Sequence, residues 1–284
     1  MQIARTIQEV RAAVAEARRA GKRVGLVPTM GALHVGHVSL IEAAARRCDF
    51  VVVSIFVNPT QFCPGEDLEK YPRPFDQDVA LCESHDVAVV FAPAPEEMYA
   101  RKSVTWVTVE ELTGTLCGRS RPGHFRGVTT VCTKLFNIVG PDVAFFGQKD
   151  GQQALVIKRM VADLNQPLEI VVCPTVREPD GLAVSSRNRY LSEQERRDAP
   201  VIYRSLQTCR RMIEAGERNA DAIRGAMIAV LREVQALKVE YVSLVDAESL
   251  TDVVYIEGPL LVAIAAHLGP ARLIDNILID VRDQ

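Results

Sequence analysis

The sequence predicts an α/β protein, a doubly wound parallel sheet followed by a smaller α+β domain. Three observations carry that reading. Strand-like apolar runs alternate with helix-periodic segments up to about residue 175. Polar loops containing glycine twice lie directly between a strand and a helix, as they do where such sheets bind ligands. After Ser192 the texture changes to charged helical segments and long apolar runs.

The elements follow in order. Thr6 to Ala20 is Ala-rich, with Ile7, Val10, Val14 and Ala17 at helical spacing, and Gly21 suits the end of a helix. Arg23 to Val27 is a short apolar run stopping at Pro28, and helical periodicity resumes from His37 to Arg47. Asp49 to Val57 is nearly continuous β-branched and aromatic sequence, as a parallel strand buried on both faces requires. Phe75 to Ser84 reads as helix, Val87 to Phe91 and Val104 to Val109 as strands, and Val128 to Val139 as helix. Asp142 to Phe146 reads as strand, Gln152 to Leu164 as helix, and Leu168 to Val172 as strand. Helices are then expected over Glu193 to Glu214 and Ala220 to Ala236, with strands at Val239 to Val245, Leu260 to Ala266 and Ile274 to Val281. The expected division is a domain of residues 1–186 and a smaller α+β domain of residues 187–284 closing over a cleft.

Composition narrows the function classes. Of 284 residues, 48% are hydrophobic and 24% charged, which excludes intrinsic disorder. Lys+Arg 33 against Asp+Glu 36 leaves a net charge of −3, against a general grip on nucleic acid. No apolar stretch approaches the roughly 18 to 20 residues that cross a bilayer. Met1 to Gly21 mixes Arg and Glu through its alanines and lacks the apolar centre of a secretory signal. No nucleic-acid or membrane partner is expected, and the expected location is cytoplasmic. Cys48, Cys63, Cys82, Cys117, Cys132, Cys173 and Cys209 are odd in number and contain no C-x-x-C pair, fitting neither a disulfide framework nor a zinc site. They read as reduced, mostly buried small hydrophobes.

Three constellations carry chemistry. In Pro28 to His37 (PTMGALHVGH), small residues allow backbone amides to approach an anion, a helix start supplies partial positive charge, and two imidazoles three residues apart can face one ligand. A glycine turn with two surface histidines is the competing reading, and zinc lacks a third nearby ligand. Phe146 to Gln153 (FGQKDGQQ) places a glycine and Lys149 after a strand, although Lys149 and Asp150 alone would also suit an exposed ion pair. It lacks the G-x-x-x-x-G-K-[ST] pattern of a P-loop. Val176 to Asn188 (VREPDGLAVSSRN) has the composition of a mobile flap that closes on phosphates, or of an interdomain connection. Gln61, after Asn58-Pro59, can both donate to and accept from a polar substrate. Arg119 to Gly127 is locally basic, suited to a carboxylate or to a solvated loop.

Jointly these runs resemble the pantothenate synthetase family, ATP-dependent ligases of the HIGH-type nucleotidyltransferase superfamily that join pantoate to β-alanine. PTMGALHVGH, FVNPTQF, Glu66-Asp67 to Arg73, RPGHFRGV, KLFN with PDVAFFGQKD, VREPDGLAVSSRN and Arg272-Leu273-Ile274-Asp275-Asn276 occur in family order over nearly the whole chain. Cys63 stands where the family often has Gly, and Gly151 where a larger residue is common. The resemblance implies a Rossmann-like nucleotide-binding catalytic domain and an ATP site lined by Met30, Gly31, Ala32, Leu33, His34, Val35, Gly36 and His37. It further implies that His34 and His37 contact the nucleotide phosphates, with His37 the usual proton donor. Gly147, Gln148, Lys149 and Asp150 would lie along the nucleotide with Lys149 on the phosphates, and Val176 would contact adenine through its backbone. Val184, Ser185, Ser186 and Arg187 are similar to the superfamily flap. Gln61 and Gln153 would hold pantoate, with Gln61 also near β-alanine. His37, His34, Lys149 and Arg187 are the implied catalytic set. The resemblance also implies a cytoplasmic homodimer that uses magnesium; the metal ligands are unknown, and Asp76 and Asp78 stay outside the site because acids at helix starts are commonly dipole partners.

The chemistry suits these residues. Activating a carboxylate on an α-phosphate needs no protein nucleophile, only two anions brought into line and stabilisation of the growing charge. A phosphate-product adenylyltransferase is disfavoured by the two-domain length, and a tRNA synthetase core by the charge and by the lack of a tRNA-gripping module. An ATP-binding regulatory protein would bind nucleotide but release no pyrophosphate.

Overall fold

The computed structural model describes residues 1–99 and 103–283. The chain forms two compact units. The first comprises Met1–Glu110, Arg121–Gly147 and Gln153–Pro174; the second comprises Glu111–Ser120, Gln148–Gln152 and Thr175–Gln284.

The first unit is a parallel six-stranded sheet with helices between its strands. In chain order it contains β1 (Gln2–Ala4), α1 (Ile7–Arg19), β2 (Val24–Thr29), α2 (Val35–Ala45), β3 (Phe50–Ile55), α3 (Phe75–Glu83), β4 (Val89–Phe91) and α4 (Pro95–Met98). A short helix α5 (Leu116–Ser120) belongs to the second unit, after which come α6 (His124–Val139), β5 (Val143–Gly147), α7 (Gly151–Asp163) and β6 (Glu169–Cys173). The strand order is β1-β4-β3-β2-β5-β6, every neighbouring pair parallel. The chain moves outward from β2 through β3 and β4, then returns to build β5 and β6 on the other side of β2. The order thus reverses between β2 and β5, the position at which open α/β sheets bind ligands beyond their strand ends. Val27, Val51, Val53, Val90, Val143 and Phe145 form the sheet side of a core against Ile41 and Ala44 of α2.

β2 runs through Pro28, one of several departures from the sequence expectation. Val24 accepts from Asp142 on the β5 side and Thr29 accepts from Phe56 on the β3 side, so Pro28 turns its nitrogen toward β5. The β2–β5 register ends at Leu26, so no ladder hydrogen bond is lost there. β1, an edge strand of three residues, has no signal in the sequence. Val104 to Val109 joins no sheet; Val107 gives its N–H to Thr130 Oγ1 (3.1 Å) and accepts from Thr129 Oγ1 (2.6 Å), side-chain partners replacing a strand. All seven cysteines are free, and six are buried. No helix among the described residues is long and apolar enough to cross a membrane.

In the second unit, α8 (Glu193–Asp198), α9 (Val201–Glu214) and α10 (Ala220–Leu231) precede an antiparallel sheet of β7 (Lys238–Asp246), β8 (Leu260–Leu268) and β9 (Ala271–Ile279) in that order. The helix expected over Glu193 to Glu214 is broken because Pro200 cannot continue it; Pro200 instead begins α9. Leu206, Cys209 and Ile213 of α9 and Ile223, Met227 and Leu231 of α10 meet Leu244, Val262, Ile264, Leu273 and Ile277 of the sheet in one core. The last stretch of this unit runs from Thr175, and within it Arg177 is bonded to Asp275 of β9.

Across the antiparallel sheet, Glu240 accepts both ends of the Arg272 guanidinium at 2.8 and 3.0 Å. Burial opposes ionisation of Glu240, but Arg272, Ser120 and His267 overcome it and hold the carboxyl down to about 2. A depressed carboxylate stabilises the fold above its ordinary pKa and ceases to do so as pH falls through the depressed value. Glu240→Gln should therefore be less stable than the unaltered protein at neutral pH, and the gap should close between the ordinary value of 4.5 and about 2. Acid-unfolding curves of both proteins, followed by circular dichroism, check this; a gap still open at the acid end rejects it.

Candidate active site

The turn leaving β2 reverses sharply, with Gly31 at φ +81° and Ala32 at φ +50°. Two successive left-handed residues are costly unless something holds them. Thr29 Oγ1 accepts from Gly31 N (3.1 Å) while donating to the Ser54 carbonyl (2.7 Å). Asp78, buried in the first turn of α3, accepts from Ala32 N (2.8 Å) and Leu33 N (2.7 Å). A Cβ at Gly31 would stand 2.9 Å from Asp78 Oδ2, so the glycine serves both the backbone angle and the close approach.

The two histidines then start α2 as a reciprocal cap. His34 Nδ1 accepts from Gly36 N (3.2 Å), and His37 Nδ1 reaches back to accept from His34 N (3.3 Å). The rings lie 4.1 Å apart between centroids. A Cβ on Gly36 would come within 2.9 Å of His34 Cε1, which is why glycine separates the pair. Because both Nδ1 atoms accept, the neutral rings carry their proton on Nε2. The amides of Gly31, Ala32, Leu33, His34 and Gly36 are all taken by protein partners. The turn's amides are thus engaged within the protein, in place of the anion-donor role expected from the sequence.

Gln61 ends a short 3-10 turn, Pro59–Gln61, after β3. Its Oε1 accepts from Asn58 Nδ2 (3.0 Å), which points its Nε2 at Met30 Sδ (3.0 Å). The structure thus brings together Met30 and Gln61, residues singled out from separate motifs. Asn58 is buried; its Oδ1 accepts from Thr60 Oγ1 and Tyr99 OH (both 2.9 Å), and its Nδ2 also donates to the Gly127 carbonyl (3.2 Å). Burial raises the Tyr99 phenol, keeping it a donor. The Gln61 carbonyl accepts from His124 Nδ1 (2.7 Å), leaving His124 Nε2 to accept from Arg121 (3.1 Å). Arg121 forks onto Glu66 at 2.5 and 2.7 Å; burial opposes ionisation of Glu66, but Arg121 and the Cys63 amide hold its carboxyl below the usual range. Within the basic run, Arg121 is therefore internally paired and linked through His124 to the Gln61 turn.

The remaining expected residues divide between the units. Gly147 ends β5 and Gln153 lies half-buried in α7, both in the first unit. Gln148, Lys149 and Asp150 form a 3-10 turn in the second unit, where Lys149 Nζ lies 3.7 Å from Asp150. Lys149, Leu182, Ser185, Asn188 and Asp275 line a small pocket there. Val176 accepts from Val184 N (3.0 Å), closing a hairpin that leads into the 3-10 turn Ser186–Tyr190, capped by Ser185 on Arg187 N (3.3 Å). Burial pushes the Asp275 carboxyl up, against the pull of Arg177. The sequence reading sets Asp78 outside the site and gives the side chains of Asn58 and Gln152 no task there. The Gln152 side chain accepts from Cys117 N and donates to the carbonyls of Leu112 and Thr115, a structural task distinct from its neighbour Gln153. An acid in the first turn of a helix is too common to have marked Asp78, whereas the Asn58-Pro59 turn signal lay in plain view.

The model of the pantoate-beta-alanine ligase family matches residues 2–278. The chain belongs to that family. The pantothenate synthetase of Moorella thermoacetica is 54% identical over 283 residues, covering 100% of both chains. A crystal structure of the pantothenate synthetase from Thermus thermophilus superposes with a TM-score of 0.93 at 45% identity, covering 99% of each chain. The pantoate-beta-alanine ligase of Francisella tularensis, solved with beta-gamma ATP and beta-alanine, gives 0.80 at 34% identity, covering 98% of this chain and 97% of the other. The ligase assignment and the doubly wound fold expected from the sequence both hold.

Two substitutions test the local architecture. Asp78→Asn sets an NH2 group against one of the two loop amides and should cost about 1–3 kcal/mol while raising the KM for ATP. Denaturant unfolding and ATP titration would measure both, and an unchanged KM would remove Asp78 from the site. Gly127→Ala would place a Cβ 2.3 Å from the Thr60 carbonyl, and overpacking against backbone should cost at least about 1–3 kcal/mol in thermal unfolding.

Proposed function

We propose that the protein condenses (R)-pantoate with β-alanine to pantothenate, driven by ATP, through a pantoyl-adenylate intermediate. In the first half-reaction a carboxylate oxygen of pantoate attacks the α-phosphorus and pyrophosphate leaves. In the second, the amine of β-alanine attacks the acyl carbonyl and AMP leaves. The observation that carries this reading is the His34–His37 cap following β2, with Gln61 held against Met30, in a chain matched by the ligase family over residues 2–278. The adenine nucleotide and β-alanine in the Francisella tularensis relative support the same pair of substrates.

The chain's own groups then have defined tasks. His34 and His37 present Nε2–H donors to the phosphates, and His37 is the proton donor to the departing pyrophosphate. Lys149 offsets phosphate charge in the adenylation step, and Arg187 with Ser185 and Ser186 adds charge-assisted hydrogen bonds from the flap. Met30 to His37, Gly147 to Asp150, Val176 and Val184 to Arg187 make up the ATP contacts. The Gln61 amide, its donor end fixed by Asn58, and Gln153 hold pantoate. A closed flap keeps water from the adenylate.

No group of three or more His, Cys, Asp or Glu side chains that could hold a metal ion occurs among the described residues. Magnesium bound with the nucleotide would supply positive charge against the charge developing on the phosphates. We further assign a cytoplasmic homodimer on the family resemblance, which sedimentation would test as a species of twice the chain mass.

Pyrophosphate release with ATP, magnesium and pantoate, with and without β-alanine and with mass analysis of products, tests the reading. Steady turnover to AMP and pantothenate is expected only when β-alanine is present, and His37→Ala or Lys149→Ala should lower it by about two orders of magnitude or more. Silence with pantoate would reject the substrate, and near-normal turnover in both variants would reject the assigned roles.

A further inference from the structure

The Arg272-Leu273-Ile274-Asp275-Asn276 run has no task in the reaction as described, yet two of its members grip segments assigned to ATP. Asp275 and Asn276 are consecutive in β9, so their side chains leave opposite faces of the strand. Asn276 is buried, and its Nδ2 donates to the carbonyls of Gln148 and Lys149, both at 2.9 Å. Its Oδ1 accepts from Gln148 Nε2 at 2.8 Å. Two carbonyl acceptors on one side of the amide fix which end is nitrogen. Gly151, where a Cβ would stand 2.9 Å from Asn276 Oδ1, permits this approach. On the other face Asp275 takes the Arg177 guanidinium at 2.6 and 2.9 Å. Arg177 also donates to the Gly181 carbonyl (3.0 Å) and lies 4.0 Å over the Tyr203 ring, so it is fixed within the Val176–Val184 hairpin.

We infer that Asp275 and Asn276 are positioning residues for ligation: adjacent positions of one strand set the Lys149 turn and the flap hairpin at a fixed spacing. Neither touches substrate in this scheme. Asn276 acts through the backbone of Lys149, and Asp275 acts through Arg177. The inference rests on the proposed role of Lys149 in adenylation. It assigns Asn276 an effect on the first half-reaction alone, since the pyrophosphate served by Lys149 has left before the amine attacks.

The test compares pantoate-dependent ATP–pyrophosphate exchange with single-turnover reaction of preformed pantoyl adenylate and β-alanine. Asn276→Asp keeps the shape but turns an oxygen toward two carbonyls. It should slow exchange by roughly 30- to 100-fold, the scale of a misplacement near 1 Å, while the second step stays within about twofold. Asp275→Asn should instead raise the KM for ATP several-fold through the loosened hairpin. Lys149→Ala is the control. Exchange lost in that control but kept in Asn276→Asp overturns the clamp alone; exchange kept in both overturns the role of Lys149 and the clamp with it. An equal loss in both half-reactions also overturns it, since that marks general damage. If Asn276→Asp fails to fold, Asn276→Ala removes the same bonds without turning an oxygen toward the carbonyls; a selective several-fold loss of exchange supports the clamp, and unchanged exchange overturns it.

Discussion

The buried carboxylate of Asp78, bonded to the amides of Ala32 and Leu33, is the interaction on which the first unit's chemistry depends. Without it, two consecutive left-handed residues would have no reason to persist, and the start of α2 would not be delivered to the end of β2. The carboxylate also changes what the loop can offer. It occupies amides that a glycine-rich turn would otherwise leave exposed, so the turn is closed from within.

The same economy of donors recurs at Gln61. A glutamine side chain in open solvent would turn freely, but Asn58 holds its oxygen and so commits its nitrogen. Asn58 is committed in turn by Thr60, Tyr99 and the Gly127 carbonyl. Such a network fixes direction more than it adds stability, since each neutral hydrogen bond contributes only about 1 kcal/mol net. Arg121, His124 and Glu66 extend this order to the charged loop beside it, where each partner uses the other's donor or acceptor.

Much of this was legible in the chain. The alternation of apolar runs with helical periods fixes the sheet class because burial imposes those periods, whereas the expected start of α2 at His37 moves back to Val35 because His34 and His37 cap it. What escaped were features set by partners distant in sequence. Val104 to Val109 looks like a strand until Thr129 and Thr130 supply its hydrogen bonds. Gln152 and Gln153 are indistinguishable by type, and only burial separates the one that ties down the Leu112–Cys117 segment from its neighbour. The assignment of the flap hairpin to the second unit follows from Arg177 and Asp275, ninety-eight positions apart, which no local pattern joins.

Pro28 has an effect beyond its own strand. As the next residue after Leu26 to face β5, it has no hydrogen to offer, so the seam between β2 and β5 stops zipping after Gly25 and Leu26. An imino acid in the backbone thereby limits how far the two central strands pair, whatever side chains stand on either face of the sheet.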